Sequence, residues 1–234
     1  IAKAERSEIV EMLLQSGLWT RIVERPFGVI ANPDVEPKAI FVSAFDSAPL
    51  APDYNFVLSA EKASVEAGMA VLARLTSGKL HLSARKGDEG YMADVRGVEY
   101  HTFSGKHPVG NVGVQIHHID RIAKGDVVWT VNIQDVALIG RLVKSGKLDM
   151  TKIVAVTGSE VEAPLYKRII AGAAVESFMG KVGQNVRIIS GNVLTGRKVE
   201  ADGYISADAN QLTVIPEGNV YELLGWAMPR FHRF

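Results

Sequence analysis

The chain contains no cysteine among its 234 residues. This absence excludes disulfides, thiolate nucleophiles, zinc sites with cysteine ligands and cysteine-ligated iron–sulfur clusters. No stretch approaches the roughly 18 consecutive apolar residues of a membrane-spanning helix, so the sequence predicts no transmembrane segment. Neither sign of charge is in excess, since 26 basic residues face 26 acidic ones. No basic run with interleaved aromatic residues occurs either, so nucleic acid is not an expected partner.

The first 150 residues alternate apolar, strand-like runs with helical periodicity. The predicted strands are Ala39–Phe45, Lys79–Ala84, Val98–Phe103 and Asp126–Val131. The predicted helices are Ser7–Leu14, a helix from a Ser59 cap to Gly78, a turn at Gly90–Val95, and a helix from an Asn132 cap through Val143 closed by Gly146. Trp19–Pro37 is rich in turn residues and predicts a long irregular connection. Because strands and helices alternate, the pattern predicts an α/β fold with a parallel, Rossmann-like sheet.

The sequence pattern changes at Lys152. Short strands at Ile153–Thr157, Val186–Ile189 and Gln211–Ile215 alternate with glycine turns and one short helix at Val175–Met179. We therefore expect a Rossmann-like domain at residues 1–150, a small α+β domain at 151–218 and the start of a connection at 219–234. Trp226, Arg230, Phe231 and Arg233 in that last segment suit either a partner or membrane contact or a plain linker.

Thr102–Asp120 is denser in glycine and histidine than any other stretch of the chain. In parallel sheets ligands bind beyond the carboxyl ends of the strands, where this stretch and the Pro-rich loop Asp46–Asp53 are expected to lie. Its candidate site residues are Lys106, His107, Gly110, Asn111, Gly113, His117 and His118.

Three specific chemistries fit this stretch poorly. The histidines His107, His117 and His118 lack an acidic residue at metal-ligand spacing, and adjacent residues point in different directions on a helix or a strand. Ser104-Gly105 lacks the context of a nucleophile elbow, which argues against a serine hydrolase. The glycines could bend around an anion at a helix N-terminus, but they match neither the Walker A motif nor the Rossmann fingerprint. A glycine-bent turn between domains fits equally well.

Two long runs carry a resemblance to a known family. These are Ser104–Asp120 with Val128–Val136, and Ala44–Asp53, together with the pattern from Pro26 to Ala48. They resemble the NqrA family, the A subunits of the Na⁺-translocating NADH:quinone reductases, over essentially the whole chain. The resemblance implies a fold related to the flavin-bearing NADH-binding subunit of complex I and to the RnfC protein of the Rnf complex. In those relatives a Rossmann-like domain precedes a small β-grasp domain of the SLBB type.

The departures from those relatives bear on cofactors. Where they carry a glycine-rich FMN loop, this chain reads Leu18–Phe27 with no glycine, so its backbone cannot approach a phosphate closely. The acidic nucleotide-contact segment is reduced to a degenerate loop around Asp46, Ser47 and Asp53. The cysteines that bind their cluster have no counterpart. The resemblance thus implies that this chain binds no FMN, NADH or iron–sulfur cluster.

The family further implies a peripheral subunit on the cytoplasmic side of the bacterial inner membrane, assembled with membrane-embedded subunits. Ubiquinone is then the one candidate ligand, with Lys106, His107, His117, His118 and Asn111 as hydrogen-bond or proton donors. Two alternatives stay open: a purely structural assembly subunit, and a free-standing flavin or nucleotide oxidoreductase. The family's N-terminal biotinyl/lipoyl-like region and its C-terminal region have no counterpart in this sequence.

Overall fold

The computed structural model of the chain describes residues 4–219, 221 and 223–227. Most of the connection predicted at 219–234, including Arg230, Phe231 and Arg233, lies outside the described residues, as does the side chain of Trp226. The α-helices are α1 (Arg6–Gln15), α2 (Tyr54–Val57), α3 (Lys62–Leu72), α4 (Val112–Ile119) and α5 (Ile133–Ser145). Short 3₁₀ helices lie at Leu18–Arg21, Gly90–Asp94, Val175–Ser177 and Gly225–Ala227.

The first sheet has six strands: β1 (Val23–Arg25), β2 (Val29–Ile30), β3 (Ala39–Ser43), β4 (Lys79–Arg85), β5 (Glu99–Phe103) and β6 (Val128–Asn132). Their order is β2-β1-β6-β3-β4-β5. The four strands β6, β3, β4 and β5 run parallel, which confirms the predicted α/β class. β3 reads as a continuous apolar run because helices cover it on both faces.

The main core lies on the face of the sheet that carries α1, α3 and α5. Ile40, Val42 and Leu82 of the sheet pack there against Met69 of α3 and Ile139 of α5. On the opposite face α4 covers a smaller apolar cluster with Ile116, which packs against Phe41, Ala39 and Val128. Because α4 begins where β5 has ended, it brings the glycine-rich loop to the carboxyl ends of the parallel strands.

Helices α3 and α5 cross at two glycines. A β-carbon on Gly68 would overlap the carbonyl oxygen of Val136, and one on Gly140 would overlap the carbonyl oxygen of Ser64. Only glycine therefore allows this backbone-to-backbone approach. Helix α5 is fixed at both ends as predicted: the Asn132 side chain accepts from the Gln134 N–H, and Gly146 ends it in the left-handed region at φ 67°.

Two expectations for this half of the chain are wrong. The stretch Trp19–Pro37 is not an irregular connection, because β1 and β2 form a hairpin there and β1 pairs antiparallel with β6. Ser59 does not cap the long helix, which begins at Lys62 after Glu61 and ends at Leu72, short of the predicted Gly78. The preceding residues instead form the separate turn α2, whose N–H groups are capped by the Asp53 carboxylate.

The second sheet has five strands: β7 (Thr151–Thr157), β8 (Leu165–Ile170), β9 (Val186–Ser190), β10 (Arg197–Val199) and β11 (Gln211–Pro216). Their order is β10-β9-β11-β7-β8, and only the β11–β7 pair is parallel. The three predicted strands are confirmed as β7, β9 and β11. Strands β8 and β10 were not predicted, since β8 has two cations in its centre and β10 has only three residues.

Neutral hydrogen bonds join the two sheets. The side-chain amide of Gln134 in α5 donates to the Ile153 carbonyl at 2.9 Å and accepts from the Ile153 N–H at 3.0 Å. The hydroxyl oxygen of Tyr54 accepts from Asn210 at 2.9 Å. Gln211 donates to the Pro49 carbonyl at 3.1 Å. The second sheet thereby closes one side of the space above the carboxyl ends of the first.

Candidate functional site

A cleft of about 420 Å³ opens at the carboxyl ends of β3 and β6. The hairpin strand β1 forms one wall and the start of α4 another, and the loop before β11 contributes Asp208. Its lining residues are Thr20, Arg21, Val23, Arg25, Ser43, Phe45, Asp46, Tyr54, Gly110, Asn111, Val112, Thr130, Val131, Asn132, Asp135 and Asp208. The position is the one at which parallel α/β sheets bind ligands.

The floor of the cleft carries a buried pair of opposite charges. The Arg21 and Asp135 side chains are 9% and 6% exposed, and the Arg21 Nε and Asp135 Oδ1 atoms are 3.9 Å apart. Neither atom has a hydrogen-bond partner within the described residues, and the Nε atom of Arg25 is also buried without one. The lining of the cleft thus includes residues with polar atoms that are buried and lack hydrogen-bond partners in the described structure.

Burial shifts the pKa values of the ionisable groups at and behind the floor of the cleft. It raises the pKa of Asp135 above its usual value, against the opposing effect of Lys152 and Arg21. It also lowers the pKa of Lys152, which lies behind the floor and donates to the carbonyls of Ala207 and Asp208 at 3.3 and 3.4 Å. Both shifts disfavour charge in the interior, so Asp135 holds a proton to higher pH than a surface carboxylate does.

Tyr54 stands between this cleft and a second one of about 350 Å³, and lines both. Its hydroxyl oxygen accepts from Asn132 at 3.3 Å and from Asn210 at 2.9 Å. Burial raises the pKa of Tyr54, so the phenol stays neutral. The second cleft has a polar lining that includes Arg197 of β10 and, from the loops beside this strand, Asn192 and Ser206.

Part of the glycine-rich loop lines the first cleft. The Gly110 N–H donates to Ser47 Oγ at 2.8 Å, and His107 Nδ1 lies 3.1 Å from the same oxygen. A β-carbon on Gly110 would overlap the backbone nitrogen of Ser47, so glycine is needed for this approach. Gln115 of α4 donates to Ser43 Oγ at 3.0 Å and to the Gly110 carbonyl at 3.3 Å. The loop is therefore held against the end of β3.

The two aspartates of the Pro-rich loop have local structural partners. Asp46 accepts from the Ala48 N–H at 2.8 Å and lines the cleft. Asp53 accepts from the Asn55 and Phe56 N–H groups at 2.9 and 3.2 Å and thereby caps α2. Both contacts are the turn-forming kind that aspartate favours.

The remaining sequence-predicted residues lie outside the cleft. Lys106 is exposed in the loop, and Gly113 is exposed at the start of α4. His117 and His118 are exposed in the last turn of α4, with their ring centroids 5.4 Å apart. The structure thus brings Asp46, Ser47, His107, Gly110 and Asn111 together and places His117 and His118 on an outer surface.

Sequence reasoning missed Arg21, Arg25, Tyr54 and Asp135. The two arginines fall in the stretch that was expected to be irregular, where no periodicity indicates a direction for their side chains. Asp135 did carry a signal, since it interrupts the apolar face of a helix directly after the Asn132 cap. A carboxylate in the first turn of a helix complements the helix dipole and is usually solvent-exposed, but this one is only 4% exposed.

Two absences hold for the part of the chain that the structure describes. No group of three or more histidine, aspartate or glutamate side chains is arranged to hold a metal ion. No described helix combines the length and apolar character needed to cross a membrane.

Two family models match the chain. The model described as "NqrA second alpha/beta domain" matches residues 4–148. The model described as "NQRA C-terminal domain" matches residues 153–201.

Curated relatives match along almost the whole chain. The A subunits of the Na(+)-translocating NADH-quinone reductases of Neisseria meningitidis and Serratia proteamaculans are 40% and 39% identical to it, over 98% and 100% of its length. Their counterpart from Yersinia pseudotuberculosis, which has the same name, is 40% identical over 95% of the chain. These matches cover 52%, 53% and 50% of the relatives, so the chain spans about half the length of the curated relatives it matches.

Two solved structures share the fold. Both are crystal structures of a NAD⁺-reducing [NiFe]-hydrogenase, one in the air-oxidised and one in the H₂-reduced state, with TM-scores of 0.57 and 0.59. Sequence identity is 14% and 13%, and the match covers 91% of this chain and 47% of the other chain in each case. At this identity the similarity concerns the fold alone.

Proposed function

Because the chain belongs to the NqrA family of the Na⁺-translocating NADH-quinone reductases, we propose that it works as a peripheral subunit of such a reductase. In this proposal the complex oxidises NADH, reduces quinone and exports sodium. The protein is bound on the cytoplasmic side of the bacterial inner membrane by membrane-embedded partner subunits. It holds no redox centre, and it offers a binding site for the quinone headgroup.

The observation that carries the quinone proposal is the pair of arginines in the lining of the first cleft. Arg21 and Arg25 each bring a guanidinium, which only donates hydrogen bonds, to the wall of this space. A quinone is uncharged and carries two carbonyl acceptors, which such donors satisfy. Phe45 and Val112 add apolar surface for a ring.

The segment that replaces the relatives' flavin loop supports the absence of a flavin. Residues 18–27 form a 3₁₀ turn and the strand β1, and the Arg21 and Arg25 side chains line the cleft. This segment therefore turns arginine side chains, and no glycine backbone, toward the cleft, which suits a phosphate of a flavin poorly.

Protonation during quinone reduction has two candidate groups in this arrangement. Asp135 is buried on the floor with a raised pKa, and His107 is exposed at the loop beside Ser47. Electrons and the net protons of quinol formation come from outside this chain in the assembled reductase. The chain's own contribution is to orient the two carbonyls and to supply hydrogen bonds that strengthen as negative charge develops on them.

Photo-crosslinking in the assembled complex tests the proposal. An azidoquinone should label peptides that contain Arg25, Phe45 or Asn111, and excess ubiquinone should suppress the labelling. Arg25→Gln should lower quinone affinity about tenfold through loss of one charged donor. Arg96→Gln, which changes an exposed arginine away from the cleft, is the matched control. Labelling confined to the partner proteins of the complex would contradict the proposal.

A purely structural role in assembly is the second candidate, and the exposure of His117 and His118 favours it for those residues. Exposed side chains at the end of α4 suit contact with a partner protein better than contact with a ligand in the cleft. The double variant His117→Ala/His118→Ala should then weaken complex formation and leave quinone affinity unchanged. A loss of quinone affinity in an intact complex would contradict this assignment.

A further inference from the structure

Strand β8 is an open edge of the second sheet. It pairs with β7 on one side, and no strand of the described residues pairs with its other side. It is six residues long, the longest of the four edge strands, whereas β2 and β10 have only two and three residues. Natural sheets usually keep edges short or cover them, so a long exposed edge indicates a pairing surface.

The ladder shows which backbone groups of β8 are unused. The Ala171 N–H donates to the Met150 carbonyl at 3.0 Å, which makes these two residues a hydrogen-bonded pair of the antiparallel register. Because bonded and non-bonded pairs alternate, Ile169, Lys167 and Leu165 point their backbone groups toward β7. The N–H and C=O groups of Tyr166 and Arg168 therefore point outward, and no described residue bonds them.

The partner strand β7 confirms this alternation independently. Ile153 pairs with Arg168 in the register, and its N–H and C=O are bonded to the Gln134 side chain on the side away from β8. The Ala155 N–H, opposite Tyr166, is bonded to the Asn210 carbonyl on that same far side. In each non-bonded pair, the backbone N–H and C=O groups of the β7 residue thus point away from β8. Those of the β8 residue point away from β7.

Side chains beside this edge define the chemistry of what would pair with it. Lys167 is exposed and forms no ion pair with a described residue, and Arg168 is the neighbouring cation. Leu165 and Ile170 are 40% and 63% exposed. On the face of Tyr166, the ring of Phe56 lies 5.1 Å from the tyrosine ring and is 61% exposed. The edge therefore combines free backbone groups, positive charge and uncovered apolar surface.

We propose that β8 is a docking edge for an extended, acidic segment of another polypeptide, which adds as a further strand beside Tyr166–Ile170. Backbone hydrogen bonds to Tyr166 and Arg168 would supply the pairing, as in other cases of strand addition. Acidic side chains would pair with Lys167 and Arg168, and apolar ones would cover Leu165 and the Phe56–Tyr166 pair. The proposal does not depend on quinone binding, because the edge lies outside the first cleft.

A synthetic peptide with the repeat Val-Val-Glu-Glu is the probe, because this repeat places apolar and acidic side chains in turn on each face of a strand. A peptide with the repeat Val-Val-Lys-Lys is its control. Amide hydrogen exchange of the chain is measured by NMR with and without each peptide. The acidic peptide should slow exchange at Tyr166 and Arg168 at least tenfold, and added salt should weaken this protection. The amides of Lys167 and Ile169 are already bonded to β7 and should change little.

Two variants separate the two parts of the proposal. Arg168→Pro removes an outward N–H that β7 does not use, so it should abolish peptide binding, whereas Arg168→Ala should keep most of it. Lys167→Glu/Arg168→Glu should reverse the preference to the basic peptide, which a misfolded edge would not do. Unchanged exchange at Tyr166 and Arg168 with the acidic peptide would overturn the proposal. Protection that depends only on the concentration of the chain would overturn it too, in favour of pairing between two copies.

Discussion

Gly140 of α5 packs directly against the carbonyl oxygen of Ser64 in α3, with no room for a side chain between the two helices. The same crossing brings Gly68 against the carbonyl oxygen of Val136. These contacts set the spacing of the helix layer under the sheet and, through α5, the position of Asn132 and Asp135 in the cleft.

Gly140→Ala should therefore destabilise the fold, because the added methyl group forces α3 and α5 apart and leaves gaps in the core. We expect a loss of about 1–3 kcal/mol in the free energy of unfolding, the range typical of overpacking. Urea denaturation measures it. Gly113→Ala in α4 is the matched control, since its β-carbon would meet no atom within 4 Å. That control should be neutral or slightly stabilising, and an equal loss in both variants would contradict the argument.

Stability should fall at acidic pH because of His81. Its Nδ1 atom lies 3.0 Å from His101 Nε2, its ring stacks on Phe41, and it is 3% exposed. Burial, followed by repulsion from His101, lowers the pKa of His81 from 6.5 to about 4. Between these two pKa values His81 is protonated in the unfolded chain and neutral in the folded chain. The free energy of unfolding therefore decreases as the pH falls through this range. The largest loss is about 3 kcal/mol.

Urea unfolding at pH 7.5 and at pH 5 checks this pH dependence. His81→Gln should remove most of the difference between the two conditions. His118→Gln, which changes an exposed histidine of α4, should retain it. If the wild-type protein is equally stable at both values of pH, the burial of a neutral His81 is not a significant determinant of its stability.

Tyr54→Phe should weaken the contact between the two sheets. The substitution removes the oxygen that accepts from Asn132 and Asn210, and leaves both side-chain amides without that partner. A loss of about 1 kcal/mol is expected, because the two donors are partly buried. Tyr166→Phe is the control, because it removes a hydroxyl that accepts from the Asp53 N–H at an exposed position. Thermal or urea unfolding measures both variants. Equal losses of stability in the two would show that the burial of the Tyr54 hydroxyl does not increase its contribution to stability.

Gly110→Ala should displace the glycine-rich loop from the end of β3. Its methyl group would overlap the Ser47 backbone, whereas Ser47→Ala removes only the oxygen that accepts from the Gly110 N–H. We expect Ser47→Ala to cost about 1 kcal/mol and Gly110→Ala to cost more. Because Gly110 lines the cleft, only Gly110→Ala should lower quinone affinity strongly. Similar affinities in the two variants would contradict a role for loop position.

The sequence predicts the parallel sheet because buried strands show directly as apolar runs, as in Ala39–Val42. It also predicts α5, because Asn132 and Gly146 are chemically specific signals at its two ends. Hairpin β1–β2 and strand β8 escape prediction for a different reason. Their residues are half-buried or exposed, so tertiary pairing determines their conformation and local composition does not.

The same distinction between local sequence signals and tertiary pairing applies to the residues of the candidate site. Gly110 and Asn111 could be predicted, because a glycine-rich loop after a parallel strand lies at the ligand-binding edge. Arg21 and Asp135 could not be paired from sequence, since their approach depends on β1 adding antiparallel to β6. His117 and His118 were predicted as site residues only because histidine can donate and accept protons. In the structure they point outward from the last turn of α4.

Gln134 joins the two sheets through hydrogen bonds between uncharged groups. Its amide bonds both backbone groups of Ile153, as a neighbouring strand would, and its nitrogen also donates to Asn210 Oδ1 at 3.1 Å. All of these groups are uncharged, so dissolved ions do not screen their interaction. Rising sodium concentration will weaken exposed ion pairs such as Lys79–Glu99 but leave this contact unchanged. This part of the contact between the two sheets is thereby independent of screening by the ions of the medium.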